Sequence, residues 1–89
     1  MITTVWKATL TVADEQEIEI QKGAEILHFA EQAGTFCIWY HCDPGAEKEK
    51  RTIRIAGTGH LISDKHWRYI GSSFYRGPEL VFHAFELLL

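Results

Sequence analysis

Ala24-Glu25-Ile26-Leu27-His28-Phe29-Ala30-Glu31-Gln32-Ala33 decides the fold, because it reads two ways. As a helix it places Ile26, Phe29, Ala30 and Ala33 on one stripe, and Gly34 supplies a C-terminal stop. As a strand it runs into a hairpin tip at Ala33-Gly34 and returns through Thr35–Asp43. Local propensity favours the helix. The neighbouring segments all favour strands.

Downstream, Phe36, Ile38 and Tyr40 alternate with Cys37, Trp39 and His41, so Thr35–Cys42 is a strand with apolar groups on both faces, covered from two sides. Asp43-Pro44-Gly45 ends it. Arg51–Ala56 follows as a strand with Ile53 and Ile55 inward and Thr52 and Arg54 outward. Gly57-Thr58-Gly59-His60 is a tight loop. Trp67–Phe74 and Leu80–Leu87 are the last strands, turned at Arg76-Gly77-Pro78. Upstream, Thr3–Val12 alternates with Trp6, Ala8, Leu10 and Val12 on one side, and Glu17–Ile20 alternates with both isoleucines inward. Asp14-Glu15 and Lys22-Gly23 are turns. The expected fold is all-β, or β-rich α+β if residues 24–33 form a short helix: one domain over residues 1–89, a single antiparallel meander of six to seven strands, sandwich- or barrel-like.

A chain this short buries a thin core, so disulfides, a metal or a partner chain would compensate. Cys37 and Cys42 lie on opposite faces of one strand, on the order of 16 Å apart, beyond disulfide reach. Free thiols fit a reducing cytosol, no signal peptide is evident, and no apolar stretch is long enough to span a membrane, so a cytoplasmic location is expected. A homo-oligomer is expected from the thin core.

Charge is unevenly spread. Through Glu47 there are eight acidic residues against two lysines; from Lys48 onward there are seven basic against four acidic residues. The basic second half suits a small anionic ligand, while the total of −3 argues against general nucleic-acid binding. The same asymmetry also suits two surfaces that pair with each other or with another subunit.

Gly57, Thr58, Gly59 and His60 form the first candidate site, since two glycines allow close backbone approach and exposed N–H groups can cradle phosphate. The loop is too short for a phosphate-binding P-loop and equally reads as a plain turn. Arg54, Arg68 and Arg76 offer forks for phosphate, as does Arg51, and Trp67, Tyr69 and Tyr75, with Trp39, offer faces on which a base could stack. These aromatics equally read as core. A metal site is not expected, because Cys37 and His41 stand about 13 Å apart on their strand. Catalysis could use a cysteine with a histidine, or His60 with Asp43 or Asp64, but nothing local positions such a pair. His28 and His83 read as structural histidines within strands.

Taken together, Lys22-Gly23-Ala24-Glu25-Ile26-Leu27, Trp39 before Asp43-Pro44, Arg54-Ile55-x-Gly57-Thr58-Gly59-His60, Tyr69-Ile70-Gly71 and Leu80-Val81-Phe82-His83-x-Phe85-Glu86 resemble a family of small, mostly phage-encoded domains of unknown function. The resemblance implies a compact β domain and tips Ala24–Gln32 toward a strand. Phe29-Ala30-Glu31 and the Leu87–Leu89 tail depart from that pattern. It further implies a phage setting, in which small cytosolic β proteins counter host defence, one strategy being to sequester nucleotide second messengers. The expectation is a non-catalytic, oligomeric binder of a small nucleotide-type anion, with no cofactor. A protein-interaction module or inhibitor directed at a host or phage protein is the alternative, and a small nucleotide hydrolase the second.

Overall fold

The disputed segment is extended. In the computed structural model, which describes Met1–Leu89, seven strands follow in order: β1 (Thr4–Thr9), β2 (Glu15–Gln21), β3 (Glu25–Gln32), β4 (Thr35–Cys42), β5 (Lys48–Gly57), β6 (Trp67–Tyr75) and β7 (Leu80–Leu87). The helical alternative for residues 24–33 is therefore corrected, and the reason is local. β3 pairs with β4 with a bulge between Ile26 and His28. The extra residue lets Ile26 and Phe29, three apart, both face the core. A bulged strand thereby imitates the spacing of a helical stripe. Ala33 (φ 52°) and Gly34 (φ 82°) then close the β3–β4 hairpin, both at the positive φ that a two-residue type I′ turn requires.

All pairings are antiparallel and form two sheets, one ordered β1-β4-β3 and the other β2-β5-β7-β6. The hairpins β3–β4 and β6–β7 keep sequence neighbours side by side, while β1, β2 and β5 pair with non-neighbours. The order is thus that of a two-layer sandwich rather than a simple meander, and the sheets do not close into a barrel. No helix of the structure is long and apolar enough to cross a membrane.

Leu10, Phe29, Phe36, Ile38, Ile53, Ile55 and Ala84 fill the space between the sheets. Ile20, Ala24, Tyr40 and Cys42 make a smaller cluster at one end. Phe36 is the hub, with ring centroids of Phe29, Tyr75 and Phe82 at 5.0, 4.7 and 5.3 Å. Trp6 and Val12, read on one side with Ala8 and Leu10, are exposed because β1 ends at Thr9 and is an edge strand. Cys37 and Cys42 are both free and buried. Cys37 sits on the outer face of its sheet, yet it is only 1% exposed. Lys7 Nζ donates to Gln32 Oε1 at 2.7 Å, linking the two strands that flank β4 and crossing over that cysteine.

One buried ion pair joins the strands of the larger sheet. The Arg51 guanidinium is held bidentately by Glu86 and also donates to the Ala24 carbonyl at 3.1 Å and to Glu49 at 3.3 Å. The Glu86 hydrogen bonds hold Arg51 protonated even above its ordinary range, against the desolvation that burial imposes.

Candidate functional site

Alternation along β7 sends Phe82, Ala84 and Glu86 into the space between the sheets and His83, Phe85 and Leu87 to the outer face of the four-stranded sheet. β6 lies beside it with Trp67 opposite Leu87, Tyr69 opposite Phe85 and Ser72 opposite His83. In a regular strand Tyr69 and Ser72, three apart, would face opposite ways. A second bulge, between Tyr69 and Gly71, gives Ile70 and Gly71 both to the core and leaves Tyr69 and Ser72 together on the outer face.

That bulge assembles a hydrogen-bonded chain of four side chains. Tyr69 Oη lies 2.7 Å from Ser72 Oγ, Ser72 Oγ 2.6 Å from His83 Nδ1, and His83 Nε2 2.8 Å from Thr58 Oγ1. Thr58 Oγ1 also lies 3.4 Å from the Val81 carbonyl. Each hydroxyl and imidazole nitrogen of the row can donate or accept, and the direction is set by the tautomer of His83. The Tyr69 ring leans on Phe85 at 5.6 Å, tilted by 59°, and remains 57% exposed. Trp67 Nε1 donates to Ser63 O at 3.0 Å at the end of the same stripe. The result is a fixed aromatic plate bordered by oriented polar groups.

The residues expected to bind a ligand do not gather into one pocket. Thr58 and Tyr69 stand at the two ends of this chain and Trp67 beside it. Gly57, Thr58 and His60 also line a cleft of about 380 Å³ with Glu79, Leu80, Val81 and Phe82. There the Gly57 N–H donates to His60 Nδ1 at 3.1 Å, so the ring is set over Gly57 and bonded to no carboxylate. Gly59 (φ 90°) only turns the loop.

The arginines lie elsewhere. Arg54 is on the outward face, as its alternation implied, but it is only 9% exposed. Its Nη2 donates to Leu61 O at 2.8 Å and its Nη1 lies 3.4 Å from Asp14, so it tethers the segment after β5. Arg68 opens on a separate cleft of about 400 Å³, with Lys50, Arg51 and Glu86 among its lining. Tyr75 packs in the core against Phe36 and Phe82, and Arg76 covers its ring at 5.2 Å. No three His, Cys, Asp or Glu side chains converge closely enough to hold a metal ion.

Ser72 and His83 were not among the expected residues. The signal was present in the hairpin: a turn at residues 76–79 sets Tyr75 opposite Leu80, and counting back places Ser72 opposite His83.

No curated protein and no solved structure matches this chain. The DUF7352 family, described as a domain of unknown function, matches residues 1–88, and the chain belongs to that family.

Proposed function

We propose that the protein binds a small ligand carrying an aromatic base, a nucleotide or nucleotide derivative, on the outer face of the four-stranded sheet, without turning it over. The observation that carries this reading is the exposed Tyr69 ring, fixed at its hydroxyl by Ser72 and backed by Phe85. A base stacked on such a plate gains about 1–3 kcal/mol. Ser72, His83 and Thr58 then lie beside it as donors and acceptors for its edge. With Arg54 committed to Leu61 and Asp14, recognition is led by the base rather than by an arginine fork on phosphate. In the phage setting suggested by the resemblance, binding of this kind would withhold a nucleotide defence signal from its receptor.

A thermal-shift screen against cyclic nucleotides, cyclic dinucleotides and ADP-ribose derivatives tests it. A bound member raises the melting temperature by mass action and is recovered chemically intact after the protein is denatured. Tyr69→Ala should weaken that binding on the order of tenfold or more. A panel with no effect removes the reading.

One observation favours a second reading, hydrolysis. Ser72 Oγ lies 2.6 Å from His83 Nδ1, a serine–histidine contact of the kind that activates a nucleophile when the ring nitrogen accepts. Recovery of a cleaved ligand, abolished by Ser72→Ala, would move the protein to that class.

A further inference from the structure

A two-sheet sandwich has four edge strands, and an unprotected edge is a template for further pairing. Three of the four are blunted here. β3 and β6 lie against each other, with Glu31 N–H donating to Ser73 Oγ at 3.0 Å and Arg76 N–H to Glu31 Oε2 at 2.9 Å. β2 carries Glu15, Glu17 and Glu19 along its length, and these charges discourage pairing.

β1 is the least defended of the four, with Lys7 its only charge and no strand against its open side. It pairs with β4 alone, and its six residues, Thr4-Val5-Trp6-Lys7-Ala8-Thr9, hold one charge. Leu10 N–H donates to Phe36 O, so by alternation the even-numbered residues of β1 point their backbone groups at β4. The N–H and C=O groups of Val5, Lys7 and Thr9 therefore face the open edge. Val5 is 50% exposed and Trp6 41%.

We infer that β1 is a self-association edge, pairing antiparallel with β1 of a second copy and joining two three-stranded sheets into one of six. Two features select a second copy as the occupant. The first is the thin core: 17 of 89 residues are buried, so a chain of this size gains from a partner. The second is charge. A two-fold axis through Trp6 sets Trp6 against its own copy, at the position where cross-strand side chains come closest, and opposes Lys7 to the copy's Val5 rather than to another lysine. This inference is independent of the ligand reading, since β1 belongs to the other sheet.

Light scattering coupled to size-exclusion chromatography, run over a concentration series without added nucleotide, tests it. The mass should rise with concentration toward twice the 10.2 kDa of the chain. Val5→Pro removes one outward N–H and leaves the β4 ladder intact. Trp6→Lys places a charge at the centre of the pairing. Both variants should keep the far-ultraviolet circular dichroism of a folded β protein and stay monomeric where the parent dimerises. A parent that is monomeric throughout the series overturns the inference, as does a dimer that survives in the folded variants. If Val5→Pro does not fold, a Trp6→Lys variant that still dimerises is sufficient to overturn it.

Discussion

Single residues hold the fold through close fits. A Cβ built on Gly57 would lie 2.9 Å from His60 Cε1, inside any normal contact. Gly57→Ala should therefore swing the exposed His60 ring away and lose its bond to the Gly57 N–H. The expected cost is about 1 kcal/mol, a melting temperature lower by roughly 4–8 °C, measurable by thermal denaturation. Glu86 is a harsher case, with its side chain only 4% exposed against Arg51. Glu86→Ala leaves that guanidinium with only the Ala24 carbonyl and Glu49 as partners, beside the like charges of Lys50 and Arg68. A loss of about 3 kcal/mol is expected by urea denaturation, and most of it should disappear when Arg51→Met is added. The residue scale is also where sequence reading reached least far. Arg54 was legible as outward-facing, but the segment that closes over it was not. His83 read as a structural histidine because its partners, Ser72 and Thr58, are 11 and 25 positions away.

At the scale of elements, the strands with clean alternation were legible: Thr35–Cys42 and Leu80–Leu87 match their predicted limits, and β6 extends one residue beyond Trp67–Phe74. β3 was ambiguous for a definite reason. Its bulge converts a spacing of two into a spacing of three, which is also the spacing of a helix face. The bulge in β6 does the same to Tyr69 and Ser72. One irregularity thus hid a strand, and the other hid the contact of Tyr69 with Ser72. The β3–β4 turn offers a direct check of the strand assignment. Ala33 occupies left-handed backbone at φ 52°, which Asn tolerates better than Ala. Ala33→Asn should stabilise the protein by roughly 0.5–1 kcal/mol, seen as a higher melting temperature. Were residues 24–33 helical, the same change near a helix end would bring no comparable gain.

The two layers of the molecule present different surfaces. The three-stranded sheet offers an open edge at β1, and the four-stranded sheet offers an outer face with Tyr69, Ser72, His83 and Thr58 in one hydrogen-bonded row. Composition pointed to the basic second half of the chain, from Lys48 onward. The arginines that motivated the choice are dispersed over a tether, a separate cleft and an aromatic stack. Which face presents that row depends on register, bulges and layer order, none of which composition encodes. The proposed binding surface is the outer face of β6 and β7. Amide and side-chain chemical shifts, followed by nuclear magnetic resonance during titration with a cyclic dinucleotide and with ADP-ribose, test it most directly. At least one of the two probes should produce saturable shifts centred on Tyr69, Ser72, His83 and Thr58, and Tyr69→Ala should remove them. Saturable shifts centred on Lys50 and Arg68 instead, or none with either probe, would contradict it.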